Sequence, residues 1–133
     1  MRQSYFLVTW MLLGLFVLSG CQLDSPKNVG QDVLVHHVYF WLHTPDNADA
    51  RGQMEQALEE LTTIETIRYA HLGVPAGTES RDVVDHSYTY SLMLFFDTKE
   101  DQDSYQIDPQ HLRFVEDNQH LWKKVIVYDS VKW

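Results

Sequence analysis

The sequence predicts an α+β domain built on one four-stranded antiparallel sheet with helices against one face. Three observations predict it. Stretches rich in β-branched and aromatic residues alternate with amphipathic stretches of helical period. Turn-forming residues separate them. The strand-like stretches are apolar on both faces, so the sheet is expected to be covered twice, by helices of its own domain and, most economically, by a second subunit.

The first strand spans residues 33–42 and ends at Thr44-Pro45-Asp46-Asn47. Alternation puts Leu34, His36, Val38, Phe40 and Leu42 on one face and Val35, His37, Tyr39 and Trp41 on the other. Asp46 to Asp49 then offers an acidic helix start. Met54, Ala57, Leu58, Leu61 and Ile64 recur at helical spacing behind it, with Glu55, Gln56, Glu59 and Glu60 outward. A second strand over 66–72 stops at the Gly- and Pro-containing loop 73–78. The third strand, 87–96, alternates Tyr88, Tyr90, Leu92, Leu94 and Phe96 against Ser87, Thr89, Ser91, Met93 and Phe95. Thr98-Lys99-Glu100-Asp101 has the form of a capped start for a short helix to about Ile107. Asp108-Pro109 restarts the helix, Asp as cap and Pro as first helical residue, and the second piece bears Leu112, Val115 and Leu121 towards about Trp122. A final strand over 124–129 closes the chain. The order β-α-β-β-α-α-β is that of a ferredoxin-like sheet with one open face.

Upstream of the domain the chain carries an address. Arg2 gives a positive start, residues 5–18 form an uncharged apolar run, and Leu18-Ser19-Gly20-Cys21 closes it. The run is too short for the roughly 20 residues a spanning helix needs, and it fits a signal peptide. Leu18 to Cys21 is similar to a bacterial lipobox. That resemblance implies removal of residues 1–20, lipidation of Cys21 as the new N-terminus, and residence in the bacterial cell envelope on the periplasmic or outer-membrane side. Cys21 is the single cysteine, so it has no disulfide partner in the chain. Polar residues 21–32 make a lipid-anchored tether, and 33–133 form one domain whose modest size favours dimerisation.

Charge excludes one class of partner. Without Arg2 the mature chain has nine basic and 19 acidic residues, a formal charge of −10. Nucleic acid needs clustered Lys and Arg, and only Lys123-Lys124 are adjacent.

Several residues together carry a resemblance. They are His36-His37-Val38 with Phe40, Gly73, Tyr105-Gln106-Ile107-Asp108-Pro109-Gln110-His111, and Trp122 with Val127-Tyr128-Asp129. Over about residues 33–131 the chain resembles the Dabb family, the stress-responsive dimeric α+β-barrel domains. The resemblance implies a homodimer in which two sheets pack face to face. A few plant members are cofactor-free polyketide cyclases, and neighbouring barrel families include monooxygenases. Carried across by motif, the acid-base pair is Tyr105 and His111, with His37 as a further histidine on the first strand. Two departures stand out: Asp108 replaces the usual histidine before the proline, and Tyr90 stands where a cyclase has a third-strand histidine.

Read from the residues themselves, Tyr105 and His111 flank a helix break that lets both point inward. A near-neutral imidazole and a phenol in an apolar cavity suit proton abstraction beside a carbonyl. The same two residues equally suit a structural role, His111 capping the junction and Tyr105 filling core. Tyr39, Trp41, Tyr90 and Trp122 are the expected walls of a cavity for a small apolar or aromatic ligand. No metal or cofactor is expected. His36 and His37 point to opposite faces, His111 and His120 are out of phase on a helix, and Asp97 to Asp103 lacks the pattern of a calcium loop. No phosphate-binding Gly loop or nucleophile elbow is present. Three functions stay open: a ligand-binding lipoprotein, a cofactor-independent enzyme, and a purely structural dimerisation module.

Overall fold

In the computed structural model residues 33–133 are described; the expected signal peptide (1–20), the tether (21–32) and Cys21 lie outside the described residues. The first strand, β1 (Leu34–Leu42), alternates buried and half-buried residues along its whole length, as two unlike faces require. Helix α1 (Ala48–Leu61) follows, its Asn47 side chain accepting from the Ala50 amide at 2.8 Å. Then come β2 (Tyr69–Gly73), β3 (Tyr90–Phe96), α2 (Lys99–Gln106), α3 (Pro109–Asn118), a 3-10 turn (Gln119–Leu121) and β4 (Trp122–Ser130). The strands lie in the order β2-β3-β1-β4, every neighbouring pair antiparallel. This is the ferredoxin-like α+β arrangement expected from the sequence, with β1 and β3 central.

The core fills one face. Leu34, Val38, Phe40 and Leu42 from β1 and Tyr90, Leu92, Leu94 and Phe96 from β3 meet Met54, Leu58 and Leu61 from α1, with Tyr105, Phe114 and Leu121 from the later helices. Each fully buried large apolar side chain contributes about 1.5–3 kcal/mol. The cluster therefore fixes which face of every strand turns towards the helices, because a one-residue slip would expose all of it.

Several boundaries depart from the sequence reading. The strand expected over 66–72 begins only at Tyr69, because residues 64–67 close a turn in which the Ile67 amide donates to the Ile64 carbonyl. The strand expected over 87–96 begins at Tyr90. Beyond Gly73, paired with Ser91, β2 offers no further partner, so 87–89 hold to β1 alone through the Thr89 amide and the Phe40 carbonyl at 2.7 Å. Helix α3 stops at Asn118, whose side-chain amide donates to the Phe114 carbonyl. Of the apolar residues expected along it, Leu112 and Val115 are exposed and Leu121 is buried in the 3-10 turn that follows; the buried side chains of α3 itself are Phe114 and Asn118.

Candidate acid-base site between helices and sheet

Strand parity decides what reaches the helix side. His36 shares parity with Leu34, Val38 and Phe40, so it is buried beneath the helices at 4% exposure. Its Cα partner across the ladder is Asp129 of β4, and the His36 Nδ1–H donates to Asp129 Oδ1 at 2.6 Å. A carboxylate accepts only, so Nδ1 carries a proton in this pair, and Nε2 is left for another partner.

Two helices supply the rest. A reciprocal cap starts α2: the Thr98 hydroxyl accepts from the Asp101 amide and the Asp101 carboxylate accepts from the Thr98 amide. Thus anchored, α2 turns Tyr105 inward onto Phe96, with ring centroids 5.3 Å apart. Asp108 caps α3 by accepting from the Gln110 amide at 2.7 Å, and Pro109 opens it. The break folds His111 back over α2, where its Nδ1–H donates to the Gln106 carbonyl at 3.1 Å. The His111 ring centroid lies 4.5 Å from that of Tyr105, and the His36 ring centroid 5.9 Å from it.

The result is a phenol ring packed against two imidazoles. In each imidazole Nδ1 is committed to an acceptor, and neither Nε2 makes a hydrogen bond among the described residues. Burial pushes the Tyr105 hydroxyl well above its ordinary range, so it stays protonated and acts as a donor. Burial lowers His111, with nearby His36 adding to the effect and the Gln106 carbonyl and Asp108 opposing it. A neutral His111 can accept a proton near pH 7. The Asp129 side chain is half exposed, so the constellation meets solvent at the β4 edge. Beside it Phe40, Phe114 and Trp122 stack together, Phe114 on Trp122 at 5.7 Å, and fill the neighbouring space.

The structure brings Tyr105 and His111 together and leaves His37 apart. His37 lies on the open face in register with Met93 and Tyr128. The first-strand histidine that joins the pair is His36, which the sequence reading passed over although parity had already grouped it with the core. Asp129 was quoted only as part of a motif, and nothing short of strand register would reveal it as the partner of His36.

The four expected cavity residues are divided by the sheet. Tyr39 and Trp41 line a trough of about 630 Å³ on the open face, together with Tyr88, Ile126 and Tyr128. Tyr90 and Trp122 face the helices. Tyr90 is buried, donates to Glu55 Oε1 at 2.5 Å and lies under the Arg51 guanidinium; burial first, and the Glu55 acceptor second, keep its phenol protonated. Among the described residues no group of three or more His, Cys, Asp or Glu could hold a metal ion.

Comparison with known proteins fits this geometry. Residues 34–132 match the Stress responsive A/B Barrel Domain family, Dabb. No curated protein matches the chain. Among solved structures, a Dabb family protein with a ferredoxin-like fold from Mesorhizobium loti is 19% identical, with 77% of this chain and 99% of that one covered and a TM-score of 0.64. A dimeric ferredoxin-like protein of unknown function from Thermobifida fusca is 16% identical, with 80% and 97% covered and a TM-score of 0.61. The hydroxynitrile lyase of Passiflora edulis is 15% identical, with 78% and 96% covered and a TM-score of 0.66. At these identities the structures speak for the fold, and the family match carries the assignment: from Leu34 to Lys132 this chain belongs to the stress-responsive A/B barrel (Dabb) family.

Proposed function

We propose that this domain is a cofactor-independent acid-base catalyst acting on a small carbonyl or hydroxyl compound, working as a homodimer tethered to the bacterial cell envelope through Cys21. One observation carries the catalytic part. The Tyr105 phenol packs against two imidazoles whose Nδ1 atoms are committed, to Asp129 for His36 and to Gln106 for His111. In the reaction class this suits, His111 Nε2 takes the proton from carbon beside a carbonyl. The C–H bond breaks, an N–H bond forms, and the electron pair moves to the carbonyl oxygen, where the Tyr105 hydroxyl donates to the developing enolate. His36 Nε2 remains to hydrogen-bond a substrate oxygen. The aromatic stack beside the site favours a compact substrate. That the fold serves a lyase in Passiflora edulis supports the enzymatic reading over a purely structural one. The dimeric relatives support the homodimer.

A deuterium-exchange assay tests this without a known substrate. The protein is incubated in D2O with a panel of small ketones and aromatic diketides, and exchange beside the carbonyl is followed by NMR. Catalysed exchange should fall by about 10²-fold or more in His111→Ala. Equal rates in the wild type, His111→Ala and His36→Ala would refute the catalytic role, and saturable binding without exchange would favour a ligand-holding protein.

A further inference from the structure

The helices cover the sheet unevenly. Helix α1 lies over β2 and β3, where Tyr90 donates to Glu55 and Leu58 stands near Leu72. Helix α3 lies over β1 and β4, with Phe114 against Phe40 and Trp122. One face of α3 is tied to α1. The Gln110 side chain donates to the Glu60 carbonyl and the Thr63 hydroxyl, and Gln53 donates to the Asn118 side chain at 3.1 Å. The far flank of α3, with Leu112 and Val115, therefore turns towards β4, the edge strand. Ile107 and Leu112 hold the two positions, just before the cap and one turn in, that a hydrophobic staple brings together, yet they are 75% and 54% exposed. On β4, Val125 and Val127 stand opposite the buried Phe40 and Val38, so they share the helix side, and both are exposed. The acid-base site opens within this apolar margin. His111, half-buried, precedes Leu112, and Asp129, half exposed, follows Val127 on the same face.

We infer that this margin lies in the headgroup region of the bilayer that holds Cys21, and that the acid-base site draws an apolar carbonyl or hydroxyl compound from the lipid. The inference rests on the envelope tether and the acid-base reading proposed above. Three features point to lipid as the occupant. Aliphatic side chains flank the site on both sides and stand in water unless something apolar covers them. The tether enters at the same end: His36 is about 10 Å along the strand from Val33, and Cys21 is at most about 40 Å of extended chain before Val33. Held that close, a contact too weak to bind a free protein suffices for a tethered one. Charge then selects the headgroup. An acidic chain is repelled by anionic lipid, so the matching surface is zwitterionic.

The test uses the full chain, purified from bacterial membranes and reconstituted in vesicles of phosphatidylcholine and phosphatidylethanolamine. Cys21 is the single cysteine, and lipidation consumes its thiol. Leu112→Cys, Val127→Cys and, at an exposed position of α1, Glu59→Cys then each offer one free thiol for a nitroxide. Electron paramagnetic resonance should find positions 112 and 127 open to oxygen but shielded from a water-soluble nickel chelate, and position 59 open to both. Independently, Ile107→Ser combined with Leu112→Ser should slow catalysed exchange of a vesicle-dissolved long-chain ketone about tenfold and leave that of a water-soluble ketone unchanged. Positions 112 and 127 open to both reagents would overturn the docking while a lipidated Cys21 kept the tether. Shielding from both reagents would overturn it as well, since protein would then cover the margin. Equal slowing of the two ketones would overturn the lipid route for the substrate. Exchange of neither ketone by the wild type would overturn the catalytic reading and that route with it, and the nitroxides alone would decide the docking. A second free thiol at position 21, in a chain that does not float with vesicles, would overturn tether and docking together.

Discussion

His36 and His37 are chemically identical neighbours, and one peptide unit sends them to opposite worlds. The alternation that separates them was legible in the sequence, since His36 falls in step with Leu34, Val38 and Phe40. What parity could not supply was the partner, because the pairing of His36 with Asp129 depends on the register of two strands 93 residues apart. Two predictions belong at this scale. Tyr105→Phe removes a hydroxyl with no hydrogen-bond partner among the described residues and keeps the ring that packs on Phe96. Stability by urea denaturation should therefore change by less than about 1 kcal/mol, while catalysed exchange should fall at least tenfold. The second concerns His111, which burial holds below the ordinary imidazole value. The unfolded chain then binds a proton more readily than the folded one as pH drops through about 6.5. The contribution of His111 to stability should be complete above that pH and lost as pH falls through the lowered value. NMR titration of its ring proton checks this: a midpoint at or above 6.5 would contradict the burial argument.

The later helices were read in outline and misread in phase. Asp108-Pro109 announced the restart, and the structure places the cap and first helical residue there. The face of α3 was harder, because its ten residues carry apolar side chains on two sides. Leu112, Val115 and Leu121 fit a helical period as well as Phe114 and Asn118 do, and of the first set only Leu121 is buried. Packing breaks the tie: Phe114 stacks on Trp122 and meets Phe40 at 6.2 Å, a set assembled from three elements. Phe114→Ala should accordingly cost about 3–5 kcal/mol, whereas Leu112→Ala, at an exposed position, should stay within about 0.5 kcal/mol. Comparable losses in chemical denaturation would restore the original phase. The divided cavity has a related cause. Tyr39 and Trp41 share parity with each other, as Tyr90 and Trp122 share the helix side, and the sequence reading pooled the four by residue type without asking which face each strand presents.

At the scale of the whole molecule, the doubly apolar strands were the most informative feature of the sequence. They called for a second cover, and the face away from the helices does carry Tyr69, Tyr128 and Phe95 with no helix over them among the described residues. The proposed envelope address is a separate matter, resting on residues 1–21 of the sequence and not on the fold. If Cys21 is the lipid-bearing N-terminus, the 12 residues after it can span at most about 40 Å, so the domain works close to the membrane surface. A homodimer would then carry two such anchors. One acyl chain holds a protein only marginally, whereas several chains on two tethers hold it firmly. In a bacterial host the full chain should partition into the detergent phase, and its N-terminal peptide should begin at Cys21 with a mass increased by diacylglycerol. Cys21→Ser should keep residues 1–20 and lose the lipid mass. An unmodified peptide starting at any other residue, with the protein in the aqueous phase, would remove the envelope tether while leaving the acid-base site and its dimer to be judged on their own tests.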